Sequence, residues 1–182
     1  MSLFGGGGVK AVRRALVAAG SAAQVVCLPR WAATPEDRAA ALGASRGSIV
    51  QSLVFIVGER PAVVLVAGDR VCRAEALPRT LNLEGEVRPA EASETERATG
   101  FAAGGVAPIA LAQGLPIAID VSLKRFATLY VPAGDGRHVF AVTADELKRL
   151  TGGIVSYAVT DGEPHHPARP MQRPFDRVDG LL

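Results

Sequence analysis

The chain has 182 residues, 48% of them apolar and 21% charged, the balance of an ordinary folded domain and not of a fully disordered chain. Its longest apolar runs, such as AVVLVAG at 62–68, fall far short of the roughly 18 residues a membrane span needs, so no membrane partner is expected. A net charge of +2 creates no whole-molecule field that would argue for a nucleic acid, and no DNA partner is expected.

The start, MSLFGGGGVK, lacks the basic-then-apolar order of a secretory signal, which predicts a cytoplasmic protein. Residues 1–8 read as an N-terminal tail without assigned function. A helix is predicted over Val9–Ala19, with Gly20 able to close it, followed by a short strand in AAQVVCLP (22–29). Thr34-Pro35-Glu36-Asp37 is a helix start: a capping hydroxyl, proline at the first helical position and acids in the first turn. That helix stops at Gly43. GSIVQSLVF (47–55) and AVVLVAG (62–68), separated by Gly58-Glu59-Arg60-Pro61, predict an antiparallel hairpin. In the first of these strands Ile49, Gln51, Leu53 and Phe55 share one face by the two-residue period. Gln51 is a misfit there, because a buried amide without partners costs about 1–3 kcal/mol.

Two short helices are predicted at about 74–83 and 92–99, then a glycine-rich segment, TGFAAGGVAPIA (99–110). Strands follow in LPIAIDVSL (115–123), ATLYVPAG (127–134) and HVFAV (138–142). Thr143 and Glu146 form a capping-box pattern that opens a helix ending near Gly152-Gly153. Residues 161–182 are proline-rich with little periodicity and read as a C-terminal tail. Five to seven strands and about five helices without regular βαβ alternation predict a mixed α+β fold in one domain over 9–160.

Familiar catalytic signatures are absent: no GxSxG nucleophile elbow and no GxxxxGK[ST] phosphate loop. Of the three histidines, His165 and His166 are adjacent in the tail and His138 starts a strand, so no metal site or cofactor is predicted. Cys27 and Cys72 read as reduced core thiols without disulfide or CxxC spacing. The arginines are scattered, with small clusters at Arg13–Arg14 and Lys124–Arg125. What remains is the loop with Gly104, Gly105, Val106, Ala107 and Pro108. Glycines let backbone N–H groups face a ligand closely, and proline stiffens the exit. The segment is either a cradle for an anion or carbonyl oxygen, or simply a turn.

SIVQSLVF, the GERPAVVLVAGDR hairpin, ATGFAAGGVAP, LPIAIDVSL and AGDGRHVFAVTADELKRLTG occur in an order and spacing that resemble the YbaK/EbsC family. That family is related to the editing insertion domain of bacterial prolyl-tRNA synthetases, and the similarity runs from about Val25 to Val155. The resemblance implies a mixed α/β domain with a central curved, barrel-like sheet surrounded by short helices, occupying residues 9–160. It implies a trans-editing deacylase that hydrolyses the ester joining a wrong amino acid to the 3′ end of a tRNA. The partner would be that aminoacyl-tRNA end, with a weak association with a synthetase conceivable; the oligomeric state stays open.

In the family picture the GxxxP loop, here Gly104–Pro108, holds the ester carbonyl on backbone amides, assigned here to Gly104, Gly105 and Val106. Ala107 and Pro108 would line the substrate site. No metal or other cofactor is implied. His138 falls where related domains carry a histidine beside the amino-acid pocket; as a residue at a strand start it could equally cap or pack. Asp120 matches a frequent family acid and either orients a pocket group or caps the next turn. Family members typically carry a lysine where this chain has Gln51, so the contact to the terminal phosphate or ribose loses its charge. That departure keeps two further readings open: a non-catalytic relative that binds an aminoacyl-tRNA end, nucleotide or protein, and a small-molecule esterase.

Overall fold

The computed structural model describes residues 8–161. The tail residues 162–182, with His165 and His166, and residues 1–7 lie outside that range.

Helix α1, Val9–Ala18, turns Val12 and Leu16 into the core. Strand β1 is Val25–Cys27. In α2, Pro35–Leu42, the Thr34 hydroxyl accepts the Asp37 N–H and Gly43 closes the helix at φ +62°. The predicted hairpin is β2, Val50–Val57, with β3, Arg60–Ala67. Val57 pairs with Arg60 across a two-residue loop. Gly58, first in that loop at φ +61°, has the conformation a type II′ turn demands. After a 3-10 turn come α3, Leu77–Leu81, then β4, Val87–Pro89, and α4, Ala92–Thr99. Strands β5, Ile117–Asp120, β6, Leu129–Pro132, and β7, His138–Val142, follow. The chain then forms α5, Ala144–Thr151, and β8, Ile154–Ser156.

The strands make two sheets, a three-stranded one in the order β1-β7-β6 and a five-stranded one in the order β4-β2-β3-β5-β8. The β2 pairings with β3 and β4 are antiparallel, while β3–β5 and β5–β8 are parallel. Among the described residues a single parallel bridge, Ile49 to Tyr130, links the two sheets. The sheets are therefore not closed into a barrel, which corrects the barrel-like expectation: one bridge is too little to make a continuous ladder. The mixed α/β class stands.

Both faces of the larger sheet are covered, which is why AVVLVA reads as a continuous apolar run and not as an alternation. One face, with Val50, Val54, Val63, Leu65, Ile117 and Ile119, packs on α1, α5, Phe101 and Phe140. The other, with Phe55, Val64, Val66 and Ala118, packs on Leu77 and Leu81 of α3. Each fully buried side chain of this size contributes about 1.5–3 kcal/mol.

Local differences from expectation have local causes. The predicted strand at 115–123 ends at Asp120, because the Asp120 carboxylate accepts the Ser122 N–H and starts a 3-10 turn over Val121–Arg125. Strands β4 and β8 are three residues each, too short for a period to show. Only half of the capping box at α5 forms: Thr143 accepts the Glu146 N–H, but the Glu146 carboxylate turns to Arg149 at 2.7 Å. Cys27 is exposed and so not a core residue, while Cys72 is half-buried at the edge of the core cluster that holds Leu77 and Val66. Burial, followed by the charges of Glu75 and Asp120, pushes the Cys72 thiol up to about 11.

Candidate functional site: a glycine loop, a histidine and a buried arginine

The glycine segment lies between α4 and β5. Ala102–Gly105 is a turn closed by the Gly105 N–H donating to the Ala102 carbonyl at 3.0 Å. Gly104, third in that turn, has φ +83°, the angle that type II turns require and L side chains resist. Gly105 lies tight against the next loop: a Cβ there would sit 2.8 Å from Asp135 Cα and 3.0 Å from the Gly134 carbonyl oxygen. Around Gly104 the space is open, with no atom within 4 Å of a built Cβ. Beyond the turn, Val106 and Ala107 bury into the main core.

The loop's N–H groups are thus of three kinds. That of Gly105 is engaged within the turn. That of Gly104, on the exposed member of the loop, has no partner among the described residues. Those of Val106 and Ala107 likewise have none, although both residues are buried. Buried peptide N–H groups are rarely left without an acceptor, but Val106 and Ala107 are closed to solvent, so the Gly104 N–H is the one placed to meet an incoming oxygen.

The loop's carbonyl side is held by a residue that sequence reasoning missed. Arg38, on α2 and 3% exposed, donates from Nη2 to the Gly104 carbonyl at 2.6 Å. Its buried Nε has no partner among the described residues, an omission worth about 1–3 kcal/mol. Burial lowers the Arg38 pKa, and the nearby Asp135 carboxylate works against that shift. Nothing in the sequence pairs a helical arginine with a glycine 66 residues away.

Asp135 organises the other wall. Its Oδ1 accepts the N–H groups of Arg137 and His138 at 2.7 and 2.8 Å, and both carboxylate oxygens lie 2.9 Å from His138 Nδ1. Partial burial pushes the Asp135 carboxyl up, but the Arg137 N–H and the His138 ring outweigh it and hold it below its ordinary value. A carboxylate can only accept, so Nδ1 carries the proton and Nε2 is left to face elsewhere. His138 shares the strand face of Phe140 and Val142, two members of the main core, and pairs across the ladder with Cys27. Trp31, 64% exposed, lays its ring on Gly136, where a Cβ would meet indole atoms at 2.5–2.9 Å.

The structure joins the 104–108 loop and the His138 loop through Gly105 and Asp135. Gln51 and Asp120 fall on the other face of the large sheet, with Phe55 and Ala118. Gln51 is half-buried, and its Nε2 donates to the Ala67 carbonyl at 3.3 Å. No hydrogen bond connects it to the glycine loop among the described residues. Asp120 is 1% exposed and caps the following turn; it accepts from Ser122 N at 3.2 Å and Thr160 Oγ1 at 3.0 Å, and Ser122 Oγ adds a further contact. Arg46 precedes β2 in a 3-10 turn, bonds the Gly68 carbonyl at 2.6 Å and pairs with Glu36 at 2.9 Å. Arg125 is held by both oxygens of Asp69 at 2.6 and 3.0 Å. Among the described residues no group of three or more His, Cys, Asp or Glu is placed to hold a metal ion. No helix there is long and apolar enough to cross a membrane.

An α/β domain of two abutting sheets, with a glycine loop packed against a histidine loop, is the class of protein these features define. The aminoacyl-tRNA editing domain model matches residues 29–150, and the chain belongs to that family. It is 31% identical over 120 residues to the uncharacterized protein YwhH of Bacillus subtilis, covering 65% of this chain and 75% of YwhH. It is 28% identical over 132 residues to the proline--tRNA ligase of Lactobacillus helveticus; the match takes in 72% of this chain but only 23% of the ligase. A crystal structure of a candidate trans-editing enzyme for prolyl tRNA synthetase superposes with a TM-score of 0.78 at 32% identity, covering 89% of this chain and 99% of that one.

Proposed function

We propose that the chain is a trans-editing deacylase that hydrolyses the ester of a mischarged aminoacyl-tRNA. The observation that carries this reading is the glycine loop, whose exposed Gly104 N–H is unpartnered among the described residues while its carbonyl is turned inward onto Arg38. In the proposed reaction the ester carbonyl oxygen faces the Gly104 N–H. A water adds to the carbonyl carbon, and charge develops on that oxygen. Collapse breaks the bond to the ribose oxygen, which takes up the proton given up by the water, and releases free amino acid and tRNA with a free ribose hydroxyl. Fixed backbone donors at a developing oxyanion contribute several kcal/mol without a nucleophilic side chain, and the family membership supports this substrate class.

His138, oriented by Asp135, lines the amino-acid side of the site in this reading, and Pro108 stiffens the loop's exit. Residues 9–160 form the editing unit and 161–182 a flanking tail. A cytoplasmic location and a loose association with a synthetase accompany the proposal. One feature favours a second reading, a relative that binds a tRNA end without turning it over: Gln51 brings no charge and its amide is engaged by Ala67. A panel of mischarged tRNAs separates the two. The deacylase reading expects enzyme-dependent ester loss with at least one species. Binding without ester loss at any enzyme concentration establishes the second reading, and hydrolysis of simple aminoacyl esters alone points to a small-molecule esterase.

A further inference from the structure

Arg38 is a poor packing element. It is a guanidinium buried to 3% exposure on a helix, with Nε unpartnered among the described residues, beside the alanines that complete α2. A methionine would fill similar space without stranding a polar group. What the arginine supplies is a donor at one atom, the Gly104 carbonyl oxygen, at 2.6 Å.

That atom belongs to the peptide between Gly104 and Gly105. A Gly–Gly unit has no Cβ on either side, so it rotates more freely than any other pair. This peptide is held at both ends: its carbonyl by Arg38, its N–H by the Ala102 carbonyl at 3.0 Å. Rotation would swing a carbonyl oxygen, with its partial negative charge, out of the interior toward the open side of Gly104. It would also turn the Gly105 N–H away from the Ala102 carbonyl and open the turn. An oxygen there would repel the ester oxygen that the loop is proposed to receive.

We infer that Arg38 is a positioning residue that locks the Gly104–Gly105 peptide, keeping its carbonyl inward so that the Gly104 N–H stays available to a substrate oxygen. The role deepens the deacylase reading and rests on it for its catalytic consequence, but the lock itself is a property of the free protein. Asp135 ties the lock to the histidine wall, because it lies close enough to Arg38 to influence its charge and against Gly105 by backbone contact.

The test uses the full chain with Arg38→Met and Arg38→Lys. Amide hydrogen exchange at Gly105, measured by NMR, reads the lock without any substrate. It should accelerate at least about tenfold in Arg38→Met, beyond any acceleration at amides elsewhere in the core of the same variant. Deacylation should fall about 10- to 100-fold in kcat with KM changed less than about threefold, the pattern of an interaction needed in the transition state. Arg38→Lys, which keeps one donor, should fall between and serves in place of Arg38→Met if that variant does not fold. Unchanged Gly105 exchange overturns the lock, as does a lower melting temperature that alone accounts for the lost activity. If the parent protein hydrolyses no aminoacyl-tRNA, the deacylase reading fails while the exchange measurement still decides the lock.

Discussion

Replacing Gly105 by alanine puts a methyl group into backbone. The new Cβ would stand 2.8 Å from Asp135 Cα and 3.0 Å from both Asp135 N and the Gly134 oxygen, where ordinary contact begins near 3.4 Å. No flexible side chain can yield, so the two loops must separate by about half an ångström. Overpacking of this kind costs about 1–3 kcal/mol, which for a domain of this size lowers the melting temperature by roughly 2–12 °C. A 1 Å misplacement of catalytic groups can cost about 100-fold, so half of that predicts a loss of about tenfold in single-turnover deacylation. Gly104→Ala separates packing from backbone angle. Its Cβ meets nothing within 4 Å, yet φ +83° imposes about 1–2 kcal/mol on an L residue. It should therefore lose stability without moving the His138 ring resonance, which Gly105→Ala should shift. A Gly105→Ala protein that melts and hydrolyses like the parent refutes the close docking of the two loops as the source of the site's geometry.

Three other outcomes follow from the same structure. Gln51→Lys puts a charged donor on the β2 face that looks away from the glycine loop, so affinity for a tRNA 3′ end, measured by titration, should change by less than about threefold; a large gain in binding would place the substrate end on that face instead. Trp31 is the sole tryptophan and presents an exposed ring beside the His138 loop. Its fluorescence should quench when a tRNA end stacks on it, and Trp31→Ala should weaken binding by about 1–3 kcal/mol; a signal unmoved by saturating tRNA rejects that contact. The hydrogen bonds from Arg88, then the Glu91 N–H, hold Glu94 down to about 2 from an ordinary 4.5. Because the folded value is depressed, the stability this group adds is present above pH 4.5 and disappears as pH falls toward 2. Glu94→Gln should therefore melt below the parent at pH 7 and converge with it near pH 2, as followed by circular dichroism.

Much of the fold is legible in the chain because its signals are local. Thr34 with Pro35, Gly43, and the Gly58 hairpin each announce themselves within four residues, and the structure realises all three. The glycine loop is legible too, since a cluster ending in proline stands out against its surroundings. Arg38 and Asp135 are not. Arg38 matters through a carbonyl 66 residues away, a relation no period or motif encodes. Asp135 acts through backbone N–H groups in a Gly-Asp-Gly turn that reads as an ordinary connection. Gln51 illustrates the reverse limit. Strand alternation correctly sets it beside Leu53 and Phe55, but alternation does not reveal that this face looks away from the glycine loop. The closure of the sheet was equally beyond reach, because it depends on whether β6 and β2 pair along their length or at one bridge, as Ile49 and Tyr130 do.

The central claim is that the Gly104–Pro108 loop supports hydrolysis of an aminoacyl-tRNA ester. The most direct measurement is single-turnover loss of label from a panel of mischarged tRNAs, with excess protein, comparing the parent with Gly105→Ala. The account predicts accelerated ester loss with at least one tRNA and about a tenfold slower rate in the variant. Ester loss by the parent no faster than in buffer alone across the panel, or an equal rate in the variant, contradicts it.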